Sequence, residues 1–239
     1  MKIIRLIAAA AILLTITSAL QAQNRKTVYG NNKVLTKERE AGSFDALRVS
    51  SGIDVYLRQG NKESITVEAD ENLHEYILTE ISGGVLRVYT EVNIRDAGEK
   101  KVFVTMKDIK SVKVSSAGDV IGESAIRSDE LELSASSAGD IKMEIYASEL
   151  DIDISSSGDM TLSGEADILE ADLSSAGDLK AFNLKVREAD VSVSSAGDAD
   201  IYVTERLYAR SSSAGSIRYD GNPKYVDARS SSAGSVYKR

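Results

Sequence analysis

Five aspartates form the most regular acidic pattern in the chain, and Glu130, Glu132, Asp151, Asp153, Glu170, Asp172 and Asp190 add to it at neighbouring outward positions. Asp119, Asp140, Asp159, Asp178 and Asp198 each directly follow a Ser-Ser-Ala-Gly or Ser-Ser-Ser-Gly tetrapeptide. Carboxylates repeated at equal intervals can serve a hard cation, and Ca²⁺, which takes six to eight oxygens, is the ion they suit. Stacked roughly 5 Å apart, two unit charges repel by about 0.8 kcal/mol in water, and a bound cation would relieve that. Against a metal, the repeat lacks the glycine-rich nonapeptide of calcium-binding β-rolls, and turn amides can neutralise the aspartates instead. The expectation is therefore no cofactor, with Ca²⁺ as the single candidate. The rest of the reactive inventory is thin. His74 is the only histidine and stands among Glu71, Asn72, Glu75 and Tyr76, which reads as an exposed turn. With no cysteine and one histidine, neither a zinc set nor a histidine-based triad is well supplied. Each glycine corner feeds a strand rather than a helix, so nucleotide-binding loops do not fit. No catalytic residue is assigned.

The elements that position these aspartates follow from the spacing. Gly118, Gly139, Gly158, Gly177, Gly197, Gly215 and Gly234 recur every 18 to 21 residues, a period that marks a solenoid. Between corners, Ile141, Met143 and Ile145 alternate with Lys142 and Glu144, and Leu150, Ile152 and Ile154 with Asp151 and Asp153. Period-2 alternation over five or six residues makes strands with one buried face. Stacked coils then give an all-β fold, a parallel β-helix with coils of about 18–21 residues burying one apolar column. The corner glycines are expected to supply a positive φ or a close approach, the alanines to point inward, and the serine hydroxyls to form a ladder.

The beginning of the chain reads differently. Lys2 and Arg5 precede the apolar run Leu6 to Ile16 and a small, polar stretch ending at Ala22, the layout of a secretory signal peptide over residues 1–22. Residues 23–41 form a polar lead, and 42–239 a single solenoid whose coils are irregular over 42–114 and repetitive over 115–239. Asp70 to Leu78 reads as one short helical turn. Without Lys2 and Arg5, 27 basic residues stand against 37 acidic ones, a balance of −10 that argues against a nucleic-acid partner. Nothing after the signal segment is apolar for long enough to span a bilayer as a helix.

Several pieces together resemble the GIN-domain family, known as the head of autotransporter-type adhesins. These are Phe44-x-x-Leu47-x-Val49, Ser51-Gly52-Ile53-Asp54-Val55-Tyr56-Leu57-x-Gln59-Gly60, Val67 to Leu73 and the serial SSAGD corners. The resemblance covers roughly residues 40 to 239. It implies a right-handed β-helix-like fold in an exported protein of a Gram-negative bacterium, in the periplasm, at the cell surface or outside the cell, and it carries no established activity. No C-terminal run of lipid-facing alternating strands suggests a translocator barrel. The expected role is binding or structural and noncatalytic, in the cell envelope, with a glycan or other surface ligand. A polysaccharide-active enzyme and a periplasmic signalling or scaffold component are the alternatives. The last corners replace Asp by Ser216 and Ser235, and Arg210, Arg218, Lys224 and Arg229 make the C-terminal coils basic. They are the candidate contacts for a partner, with self-association through those coils expected.

Overall fold

The computed structural model describes residues 25–239, so the signal peptide expected over 1–22 lies outside the described residues. The described chain is nearly all strand, with one 3-10 turn at Glu71–Leu73 where the sequence suggested a helical turn. Successive coils pair in parallel, in register on both sides of the SSAGD corners, and single strands such as Asp140–Ile154 and Asp159–Leu173 bend from one face of the solenoid to the next. No described helix is long and apolar enough to cross a membrane.

Alternation places one side-chain column inside at each position. Val55, Val120, Ile141, Met160, Leu179, Ala199 and Ile217 occupy one inward column and are at most 1% exposed. Leu47, Val112, Leu133, Ile152, Ala171, Val191 and Ala209 form a second on the opposite face. Each buried branched side chain contributes about 1.5–3 kcal/mol by leaving water.

The corner differs from expectation in how it divides its labour. In every repeat the second and third residues carry positive φ, as at Ser116 (54°) and Ala117 (57°), or Ser175 (52°) and Ala176 (59°); none of the seven corner glycines does. The first residue's carbonyl accepts the glycine N–H, at 3.2 Å for Gly118 to Ser115 and 3.1 Å for Gly177 to Ser174. Two successive left-handed residues closed by that bond make a type I′ turn. Ala117 is exposed rather than inward, and it is Gly118 that is buried. The glycines are needed for space. A Cβ on Gly158 would lie 2.6 Å from the Ala135 carbonyl oxygen, and one on Gly177 2.6 Å from Ile154 Cγ2. The ladder along the corners also runs through main chain rather than serine hydroxyls: Ala117 N–H donates to the Ser137 carbonyl at 3.0 Å, Ala138 N–H to Ser156 at 3.1 Å, and so on to Ala214 and Ser232 at 3.1 Å.

The order of levels near the N-terminal end is not the order of the sequence. On one face Asp54–Gln59 lies between Lys100–Met106 and Asp119–Gly122; on the other, Ala46–Val49 lies between Val85–Tyr89 and Ser111–Val114. The chain thus enters at the second level, passes outward, and returns through the first. The outermost strands, Val34–Arg39 with Ser64–Asp70 and Leu78–Ser82 with Val85–Tyr89, are antiparallel and close the stack at that end. Part of the polar lead therefore takes part in the sheet.

This turn chemistry predicts opposite signs at adjacent residues. Gly158→Ala, or Gly158→Val, should destabilise by about 2–3 kcal/mol through crowding. Ala176→Gly, at φ 59°, should stabilise by up to about 1 kcal/mol by removing left-handed strain. Urea denaturation of both variants measures this, and a stabilising Gly158→Ala would refute the division of roles.

Candidate functional site

The turn fixes the next residue of each repeat on one exposed face, and the aspartates do stack there. Asp119, Asp140, Asp159, Asp178 and Asp198 are direct partners in successive coils, followed by Ser216 and Ser235. The structure adds a sixth member, Asp54, beside Asp119. Its signal was already in the Ser50-Ser51-Gly52-Ile53-Asp54 corner, where glycine takes the left-handed position (φ 64°) and Ile53 fills the inward one. Burial, then the Asp54 and Asp140 charges, push the Asp119 carboxyl above its ordinary value. Burial and Asp159 do the same to Asp140, and burial with Asp159 and Asp198 to Asp178. Lys180, 3.8 Å from Asp159, opposes part of this. Among the described residues no three acids or histidines come together as a metal site.

The four basic candidates do not form one patch. Arg218 stands in the exposed column next to the aspartates and makes a bidentate pair with Asp200. Arg210 and Arg229 are partners on the other face; Arg210 binds Asp190 at 2.7 Å and Arg229 binds Asp227 at 2.9 Å. Lys224 reaches Glu205 at 3.2 Å, away from both.

His74 is buried at 5% exposure rather than lying on an open turn. Its Nε2 donates to the Leu35 carbonyl at 3.0 Å, while Nδ1 has no hydrogen-bond partner among the described residues. Burial, followed by the Lys37 and Arg39 charges, holds its pKa below the ordinary value despite that hydrogen bond. It fastens the edge strand Val34–Arg39 and reaches no cleft chemistry. Asp70, fully buried, accepts main-chain N–H bonds from Asn32 (2.9 Å), Gly98 (3.2 Å) and Glu99 (3.3 Å). Those amides outweigh desolvation and lower its pKa.

A wide concave feature lies at the corner away from the SSAGD turns. It is an open groove of about 970 Å³ that crosses successive coils. Arg127, Tyr146, Glu165 and Lys185 form one wall as register partners. Ala147 and Ala166 stand in the adjacent column and make a small-residue floor. The walls are polar and partly paired: Arg127 lies 4.3 Å over the Tyr146 ring, Tyr146 donates to Glu144 at 2.9 Å, and Arg187 reaches Asp167 at 3.5 Å and Glu205 at 3.8 Å. Sequence reasoning missed this groove because its corner has no repeated motif, and the pairing there shifts register between Ala181 and Lys185 and between Val186 and Glu188.

Parallel coils stacked on SSAGD turns, closed at one end by antiparallel strands, place the protein among the adhesin-head β-solenoids. The chain belongs to the family described as "Putative auto-transporter adhesin, head GIN domain", whose model matches residues 43–223. Among solved structures, a "putative adhesin" from Bacteroides fragilis NCTC 9343 aligns with a TM-score of 0.80 at 19% identity, over 89% of this chain and all (100%) of that one. A "putative adhesin" from Parabacteroides merdae ATCC 43184 gives 0.74 at 26% identity, over 90% and 99% of the two chains. A "putative lipid binding protein" from Parabacteroides distasonis ATCC 8503 gives 0.73 at 23%, over 90% and 100%. No curated protein matches the chain.

The ladder and the two buried groups pull stability in opposite directions with pH. Folding raises the Asp140 carboxyl pKa, so its contribution is present below the unfolded value and lost as pH rises through the folded one. Asp140→Asn should therefore raise the melting temperature at pH 7, with the gain shrinking below about pH 4. The depressed values at Asp70 and His74 act the other way: their stability is lost on acidification, for His74 below about pH 6.5. Millimolar CaCl₂, against NaCl of matched ionic strength, should give no calcium-specific shift. Melting curves across pH and salt check all three statements.

Proposed function

We propose that this chain is an exported, noncatalytic binding module of the cell envelope, and that its lateral groove takes an extended polar polymer, a glycan first of all. The observation that carries the reading is the groove itself, about 970 Å³, open along the coil axis and walled by partly paired charges with Tyr146 half-buried among them. Four cations and six anions line it, a near-balanced set that suits a hydroxyl-rich chain better than a strongly charged one. Alternating donors and acceptors can bind sugar hydroxyls, and an aromatic ring offers an apolar face to a pyranose. Export is supported by Lys2, Arg5 and the apolar run Leu6 to Ile16, and an envelope setting by the adhesin description of the family. The relative described as lipid-binding shares the fold at 23% identity, and that likeness carries the fold alone.

Catalysis finds no support in the groove. A hydrolase or lyase needs an acid and a base whose environments drive their pKa values apart. The raised carboxyls Asp119, Asp140 and Asp178 lie in one column on the SSAGD side, and none lines the groove. The test is a glycan array with the purified protein, repeated with Tyr146→Ala. Wild-type binding that the substitution weakens about tenfold or more supports the groove. Binding unchanged by the substitution, or depolymerisation of a bound glycan, overturns the reading.

A further inference from the structure

A second surface carries a pattern that the groove does not use. Beside the SSAGD turns, one exposed column on the return face can be followed level by level through the strand register. It reads Glu80, Arg87, Arg48, Lys113, Ser134, Asp153, Asp172, Ser192, Arg210. Taken outward from Ser134, the signs are opposite on the two sides. One level away, Lys113 answers Asp153, and two levels away, Arg48 answers Asp172. Three levels away, Arg87 answers Ser192, with Asp190 in the next column. Four levels away, Glu80 answers Arg210, although Arg210 and Asp190 already hold each other at 2.7 Å within the chain. The pattern is self-complementary under inversion of the coil axis.

The geometry points to a second copy of this chain as the occupant of this face, packed antiparallel about a two-fold axis that runs along the strands at the level of Ser134. Such a rotation brings the two faces together, keeps each column opposite itself, and exchanges level for level, so Arg48 meets Asp172 and Lys113 meets Asp153, twice each. Parallel packing of the same faces would set every charge against its own kind, which disfavours it. Three features make the face available. Arg48, Arg87, Asp153 and Asp172 have no ion-pair partner among the described residues, in contrast to the paired arginines of the C-terminal coils. Next to the charged column runs a column of first-corner serines, Ser115, Ser136, Ser155 and Ser174 among them, small enough for close approach. Shallow hollows open beside it on both sides of Ser134, one of about 390 Å³ with Arg48, Arg87 and Lys113, the other of about 420 Å³ with Asp153, Asp172 and Arg210. On the axis itself Glu132 and, further along the same strand, Glu130 meet their own symmetry copies, and Glu132 is already neutralised by Lys113 at 2.5 Å in each chain.

This dimer uses the middle of the return face rather than the C-terminal coils, and it does not rest on what the groove binds. Exposed charge pairs are screened by salt over about 10 Å at 0.1 M, so the dimer should be present in low salt and dissociate as salt is raised. The test is analytical ultracentrifugation of the protein and of two charge reversals. Arg48→Glu and Asp172→Arg should each weaken the dimer about tenfold or more, because each sets like charges together twice. An equimolar mixture of the two variants should restore it. In the mixed pair the carboxylate introduced at 48 faces the guanidinium introduced at 172, and the native Arg48 and Asp172 meet at the other contact. Recovery in the mixture also shows that both variants are folded. A wild-type protein that stays monomeric in low salt, a dimer insensitive to either reversal, or a mixture that stays dissociated each overturns the proposal.

Discussion

Everything in this protein depends on how closely one corner can approach the corner above it. The SSAGD turn spends two left-handed residues to reverse the chain in four positions, at about 1 kcal/mol or more each for non-glycine residues. In return, each turn donates one N–H to the next turn's carbonyl, near 3.0 Å at every level from Gly52 to Ala214, and its glycine lets the neighbouring backbone pass where a methyl group would collide. Because strand side chains alternate with period 2, a slip of one residue would turn every buried column outward. The identical corner length is what prevents that slip, so register, core and surface pattern are set at one place.

A frame of this kind determines what its surface can do. Every exposed position becomes a column with a spacing of about 4.8 Å, and charges can only be arranged along columns or between them. The chain uses both options. Toward the C-terminal coils, acids and bases alternate along columns and pair across adjacent levels, as Arg206 with Glu188 and Arg218 with Asp200. In the aspartate column like charges stack, and three carboxyls respond by titrating high. On the return face, same-sign blocks occupy separate halves of one column. A repetitive lattice supplies extended, multivalent contact well.

What was legible in the sequence is what repeats. The glycine interval and the alternation of Leu150, Ile152 and Ile154 define the coils and their inward column, and the Ser50-Ser51-Gly52 corner places Asp54 in the aspartate column once the register is known. The division of roles within the corner was hidden, because Ser-Ala-Gly reads naturally as a glycine in the left-handed region; only the interpenetration of neighbouring coils shows that space is the stronger demand. His74 looked exposed because Glu71 and Glu75 flank it, yet the edge strand Val34–Arg39 folds over it. The level order at the N-terminal end was also out of reach. Arg87 follows Arg48 by 39 residues, and their adjacency depends on an excursion through antiparallel strands that no period announces.

The groove lies at the middle of a strand whose far end carries the charged column, and this bears on how the protein would hold a surface. Residues 146–148 line the groove, while Asp153, further along the same strand Asp140–Ile154, belongs to the column. A two-fold axis parallel to the strands leaves positions along the strand unchanged, so it carries both grooves to the same side of the pair, running in opposite directions. A single shallow groove with part of its charge already paired gains little from any one polar contact, since each new hydrogen bond displaces water or an existing partner. Two grooves held on one side by the proposed dimer would act on the same polymer or surface at high effective concentration, and avidity of that kind can exceed the single-site affinity by roughly 10²–10⁴ without a new contact. Weak, salt-tuned pairing of the solenoids and weak binding in each groove are then two parts of one arrangement: the corner that fixes register makes both surfaces periodic, and periodicity suits many modest contacts better than one strong one.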